Sequence, residues 1–156
     1  MAPPNNNAIS VVWWREKGEL MVYVIDALTI NPLFFHQEQV KLPGGGAEGK
    51  ESPIETAIRE LKEETGLVVK RKQKAHLILE ARIGVHNKYA FLISRYACKG
   101  RLRKGKLWDH DSILSKPRPV SLNEAIDVVL YSKNNTFNRA ALVVARNWIN
   151  EHYPAA

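Results

Sequence analysis

The chain has 156 residues, of which 45% are apolar and 25% charged, a composition that fits a globular protein and excludes disorder, fibrous repeats and low-complexity tracts. At that length a single domain, 1–156, is expected, burying roughly two-thirds of its unfolded surface. A formal net charge of +7 favours anionic partners such as nucleotides, RNA or membrane surfaces without choosing among them, and a lone cysteine, Cys98, rules out an intrachain disulfide and suits a reducing compartment.

The opening MAPPNNNAIS lacks the basic and apolar regions of a secretory signal, and nowhere do about 18 apolar residues run together. The expected location is the cytoplasm, with no membrane partner. AISVVWWREKGELMVYVIDAL, rich in Val, Ile and aromatics, predicts two strands joined by a turn at Lys17-Gly18. A loop around TINP leads to LFFHQEQVKL, a candidate third strand, after which PGGGAEGKESP is expected to break all regular structure.

The period then changes. Ile54, Ala57, Ile58, Leu61 and Thr65 follow the i, i+3, i+4 spacing of an amphipathic helix over 52–65, with Ser52 as N-cap, Pro53 in the first turn and Gly66 just past the end. HLILEARIG and KYAFLISRYAC predict long strands joined near Val85–Asn87, and the basic stretch 99–119 reads as a loop. Ser121 and Glu124 offer a capping box for the helix LNEAIDVVL. A final helix over about 137–152 places Phe137, Ala140, Ala141, Val144 and Trp148 on one face. Strands interleaved with helices indicate a mixed α/β fold with helices covering a sheet.

On the 52–65 helix, Glu60 is a neighbour of both Glu63 and Glu64, and like charges at that spacing destabilise by a few tenths of a kcal/mol each. At 100° per residue the three carboxylates fan over a sector beside the apolar stripe, a position suited to the edge of a cleft. Hard oxygen donors converging there are what Mg²⁺ or Mn²⁺ prefers, and such an ion turns repulsion into coordination. A divalent ion that also touches phosphates polarises phosphorus and lowers the pKa of an attacking water.

The acidic run is part of a longer pattern. Gly45, five residues, Glu51, seven residues, then Arg59-Glu60-Leu61-Lys62-Glu63-Glu64-Thr65-Gly66-Leu67 resembles at every fixed position the G-x5-E-x7-R-E-U-x-E-E-x-G-U box of the Nudix hydrolases, U being a bulky aliphatic residue. At ordinary residue frequencies the seven identities have a chance probability on the order of one in ten million at a given start. KLPGGG before the box and PVSLNEAIDVV beyond it also resemble the family.

The resemblance implies an α/β/α sandwich around a mixed β-sheet and hydrolysis of a pyrophosphate bond in a nucleoside triphosphate or nucleoside-diphosphate derivative, releasing a nucleoside monophosphate. Carried over by position, Glu60, Glu63 and Glu64 bind Mg²⁺ or Mn²⁺ with the Gly44 carbonyl, while Gly45, Glu51, Arg59 and Gly66 support the loop and helix. Where some relatives carry a glutamate before the penultimate helix, this chain has Arg118, which leaves Asp109, Asp111 or a box glutamate as the base. Trp108 is a candidate for stacking a nucleobase and His110 for donating to a phosphate. About 15–18 residues past the box stand Arg82, Ile83 and Gly84, not the tyrosine or proline of some dinucleotide-polyphosphate and ADP-ribose members.

Two basic clusters remain, Lys70, Arg71, Lys72 and Lys74, then Lys99, Arg101, Arg103, Lys104 and Lys106. Arg101, Arg103 and Lys104 are candidate phosphate binders. Their charge favours one alternative, an RNA 5′-end pyrophosphohydrolase. Another alternative is a non-catalytic nucleotide- or RNA-binding module on the same fold, against which the intact box argues.

Overall fold

The computed structural model describes residues 5–30, 36–109, 111–130 and 136–155. Parts of the expected loop and third strand at 31–35, and His110, lie outside them. The first strands, β1 (Asn5–Glu16) and β2 (Glu19–Ile30), form the expected hairpin through Lys17-Gly18. The third strand, β3 (His36–Lys41), pairs with the far half of β2.

The glycine-rich stretch departs from expectation. Gly44–Gly46 forms a short strand, β4, antiparallel to β1 with Gly45 opposite Ala8. Glycines carry no side-chain alternation, so only the backbone of β1 specifies this pairing.

The helix α1 (Pro53–Thr65) has the punctuation that its sequence predicts. The Ser52 hydroxyl accepts from the Glu55 N–H while the Glu55 carboxylate accepts from the Ser52 N–H, two orphan donors satisfied at once. At its other end Gly66 takes φ 87° and its N–H closes on the Lys62 carbonyl, a left-handed conformation that favours glycine.

Next come β5 (Val68–Val69), β6 (Ala75–Ile83) and β7 (His86–Ser94), the latter two joined by a turn at Gly84-Val85. Strand β7 runs parallel to β1, so the sheet is mixed. The stretch 99–119 is not simply a loop. After β8 (Cys98–Lys99), which pairs with β5, it contains β9 (Leu107–Asp109), β10 (Ser112–Leu114) and β11 (Arg118–Ser121). Strands of three or four residues are too short to display a period of two; the exposed edge of the long β2 supplies the partner for β10 and β11.

The helices α2 (Leu122–Leu130) and α3 (Thr136–His152) close the chain, with the Ser121 hydroxyl accepting from the Glu124 N–H. Alternation along β1 divides the core. Val11 faces α2 and α3, meeting Ile126, Leu142 and Ile149, while Val12 and Trp14 face α1, meeting Ala57 and Leu61. The result is an α/β/α sandwich. Helix α3 buries Phe137, Asn138, Ala141, Leu142, Ala145 and Ile149, so Phe137 and Ala141 of the expected face are in the core while Ala140, Val144 and Trp148 sit at its margin. Both stripes are apolar. Asn138 decides between them by accepting at Oδ1 from the Leu42 N–H at 3.0 Å.

Candidate functional site

The carboxyl end of β3, the β4 strand and α1 meet where the box residues collect. Glu64 is the buried anchor, 1% exposed. Its Oε1 accepts from the Gly44 N–H at 2.8 Å and its Oε2 from Lys41 Nζ at 3.2 Å, while the same ammonium donates to the Gly44 carbonyl at 3.3 Å. Burial pushes the Glu64 carboxyl above the ordinary range, and Lys41 and the Gly44 N–H oppose it. Glu60, with its side chain 12% exposed, is pushed up to about 7 by burial and then by the charge of Glu64, against the pull of Arg59. Glu63 is 53% exposed.

Arg59 is the hub of the outer half. Its Nε and Nη2 grip Glu51 at 2.7 and 3.0 Å, Nη2 also donates to the Gly46 carbonyl at 2.9 Å, and Nη1 donates to Glu60 and Glu63 at 3.0 and 3.1 Å. Glu51 accepts further bonds from the Glu48 N–H and the Thr56 hydroxyl. The Arg59 guanidinium, more than any other contact, holds the Glu51 carboxyl down to about 2. These bonds tie the 46–51 loop to the helix.

The expected convergence of three carboxylates takes a different form. Among the described residues no three acidic, His or Cys side chains form a ready metal-binding group, because Glu64 turns to Lys41 and the loop while Glu60 and Glu63 turn to Arg59. Like charges separate toward the nearest cations. The donor set nevertheless fits a hard divalent cation. Burial and mutual repulsion penalise ionised Glu60 and Glu64, a cost that such a cation relieves. The Gly44 carbonyl shares with Glu64 the one Lys41 ammonium, and Gly45 packs so close to Glu60 that an added Cβ would lie 2.6 Å from Oε1.

Of the loop residues, Asp109 is near enough for its charge to act on Glu64, raising that carboxyl as the smallest of the influences on it. Its neighbour Trp108 is 66% exposed on the same β9–β10 hairpin. Asp111 is exposed and accepts from the Ser112 hydroxyl at 3.5 Å; no described bond joins it to the box glutamates.

Arg103 is committed to the backbone. It donates from Nε to the Glu64 carbonyl at 2.8 Å, from Nη2 to the Ser115 carbonyl at 2.7 Å and from Nη1 to the Gly105 carbonyl. It therefore clamps the carboxyl end of α1, whereas Arg101 and Lys104 are exposed and border a separate cavity.

Two functional candidates escape sequence reading. Lys41 and Asn138 both border a cavity of about 380 Å³ beside Gly44 and Gly45, together with Asn7, Gln39 and Lys88. A lysine directly before the buried Leu42 and an asparagine within an apolar helical stripe are the signals that point to them.

Comparison with known proteins bears on the family and the fold. The family model described as NUDIX domain matches residues 4–105. A probable DHNTP pyrophosphohydrolase of Lactococcus lactis subsp. cremoris (strain MG1363) is 50% identical over 48 residues, covering 28% of this chain and only 29% of that protein. Among solved structures, an ADP compounds hydrolase aligns over 99% of this chain and 78% of its own, with 16% identity and a TM-score of 0.66. The E. coli ORF135 protein aligns over 99% and 96%, with 15% identity and a TM-score of 0.59, and a C. elegans Ap4A hydrolase over 94% and 98%, with 14% identity and a TM-score of 0.60. At such identities these structures speak for the fold alone.

Proposed function

Since the chain belongs to the Nudix hydrolase family, we propose that it hydrolyses a phosphoric anhydride in a nucleoside triphosphate or nucleoside-diphosphate derivative and releases a nucleoside monophosphate. One observation carries the reading: the buried Glu64 carboxylate and the partly buried Glu60 carboxylate lie on one edge of α1 against Gly44 and Gly45, where the Gly44 N–H donates to Glu64 and an added Cβ on Gly45 would meet Glu60. In this reading Glu60, Glu63, Glu64 and the Gly44 carbonyl hold a divalent cation, Mg²⁺ or Mn²⁺. When bound, that cation supplies Lewis-acid polarisation of the phosphoryl group and a lowered pKa for the attacking water.

The remaining roles fall to the chain. Arg59 and Glu51 fix the loop against α1, so that the backbone and the carboxylates keep their spacing through the reaction. Asp109, on the β9–β10 hairpin, takes the proton of the attacking water; a box glutamate is the second candidate. The cavity beside Gly44 receives the nucleoside, where the carboxamides of Asn7, Gln39 and Asn138 match the donors and acceptors of a base edge. Lys41 and Lys88 offset the phosphate charge from the same side. Trp108 stacks on the exposed part of the substrate.

The test is a panel of nucleoside triphosphates, nucleoside-diphosphate conjugates, DHNTP and 5′-triphosphate RNA, incubated with Mg²⁺ or Mn²⁺ and resolved by product mass. Release of monophosphate from one small-nucleotide class is expected. Activity confined to RNA moves the assignment to 5′-end hydrolysis, and tight binding without turnover of any member overturns the enzyme reading.

A further inference from the structure

Beyond the carboxyl end of α1 lies surface to which the proposed hydrolysis assigns no role. A cavity of about 1160 Å³ lies between the β5–β8 pair and the 100–104 and 116–119 segments, and seven of its fourteen lining residues are lysine or arginine while none is acidic. Among the described residues only Arg118 of these seven has a carboxylate partner, Asp26 at 2.7 Å. Arg103 is spent on backbone carbonyls and Arg95 lies 5.2 Å from the centroid of the Trp14 ring. Lys70, Arg101, Lys104 and Lys116 remain as exposed cations around an apolar floor of Leu67 and Leu102. Such crowding of one sign is unfavourable until an anion of matching extent neutralises it.

The rim of this cavity turns aromatic. Tyr96, 74% exposed, borders it and also borders a second cavity of about 420 Å³ lined by Trp13, His76, Trp148 and Tyr153. Lys74 stands at the second cavity and Lys70 at the first, with its Nζ donating to the Tyr96 carbonyl. The Trp148 ring is already stacked on His152 with centroids 4.1 Å apart, so the rings open beside these cations are those of Tyr96 and the 55% exposed Tyr153. Phosphates attract the cations, and any base stacks on a ring regardless of its identity.

We propose that this face of the molecule is a docking surface for single-stranded nucleic acid, held through phosphates in the basic cavity and through bases stacked on the exposed rings of Tyr96 and Tyr153. The proposal stands independently of the hydrolytic reading. A duplex keeps its bases stacked inward and offers the rings nothing, and an acidic protein offers charge without planar faces.

The experiment is fluorescence anisotropy of a labelled single-stranded RNA with a 5′-hydroxyl end, titrated with the full chain in EDTA so that hydrolysis plays no part. Tyr96→Ala is expected to weaken binding about fivefold or more with the salt dependence unchanged, and Tyr96→Phe to restore it. Removing two charges with Lys70→Gln and Lys104→Gln should flatten the log–log salt slope by about 1.4, at roughly 0.7 per phosphate contact. Arg82→Gln, at the far end of β6, should change nothing. These positions are exposed, so folding is not at stake. The proposal is overturned if the strand does not bind at about 50 mM salt, if Tyr96→Ala binds like wild type, or if a duplex or polyglutamate competes as well as the single strand.

Discussion

Two adjacent glycines separate the stability of the loop from its chemistry. A Cβ on Gly45 would lie 2.6 Å from Glu60 Oε1 and 2.7 Å from its Cδ, whereas a Cβ on Gly44 would run into the Ala8 carbonyl and lie 2.8 Å from the Ile9 Cα. The first obstacle is the end of a flexible side chain; the second is paired backbone. In Gly45→Ala the Glu60 carboxylate must retreat by roughly 0.5–1 Å to reach ordinary contact, and displacements of that size cost a catalytic group about 10- to 10²-fold. The expected result is a drop of that order in kcat/KM and weaker Mn²⁺ binding, with the melting temperature within about 3 °C of wild type. Gly44→Ala must instead part β4 from β1, an overpacking cost of about 1–3 kcal/mol that lowers the melting temperature by roughly 2–12 °C. Thermal melts in EDTA, Mn²⁺ titration and turnover on both variants decide the matter. A Gly45→Ala variant with unchanged metal affinity and turnover would refute the use of Glu60 where it stands.

Glu64→Gln and Glu63→Gln are each expected to lower kcat by about 10²-fold or more; full turnover in both would mark the box as vestigial. Asp109→Asn should slow turnover while leaving Mn²⁺ affinity unchanged, and equal rates at all pH values would return the proton to a box glutamate. For Glu60, raised to about 7 in the fold, the folded state holds the proton more tightly than the unfolded chain. The resulting penalty is absent below about 4.5 and complete above about 7. Melting of the wild type in EDTA should therefore fall between pH 5 and 8 more steeply than that of Glu60→Gln, and parallel curves would show that Glu60 ionises freely. Glu51, held down to about 2, has the opposite sign: its contribution is present above about 4.5 and lost as pH falls toward 2. Glu51→Gln should flatten the acid side of the stability profile, and an unchanged acid side would show that Arg59 does not stabilise the Glu51 carboxylate.

The first helix is legible because its signals are local. Ser52, Pro53, Glu55 and Gly66 act on backbone within a turn of themselves, and the order of the box glutamates is written on the same element. What tertiary contact decides is not legible. The burial of Glu64 depends on β3 and β4 lying against α1, and the Lys41 tie exists only because the strand before Leu42 ends there. Arg103 reads as a surface cation until the chain folds it onto the Glu64 and Ser115 carbonyls. The β9–β10 hairpin is too short to announce itself, yet it carries Asp109, whose charge reaches Glu64. Cys98 is half-buried, and burial pushes its thiol up to about 11.

All the proposed chemistry depends on the acidic edge of α1 holding a divalent cation, and that claim is tested without knowing the substrate. Titration of Mn²⁺ into the metal-free protein, followed by the loss of the free-ion electron paramagnetic resonance signal, measures it directly. The account predicts saturable binding by the wild type at neutral pH, lost in a Glu60→Gln, Glu64→Gln double variant that still melts cooperatively. Equal Mn²⁺ binding by wild type and variant would contradict it.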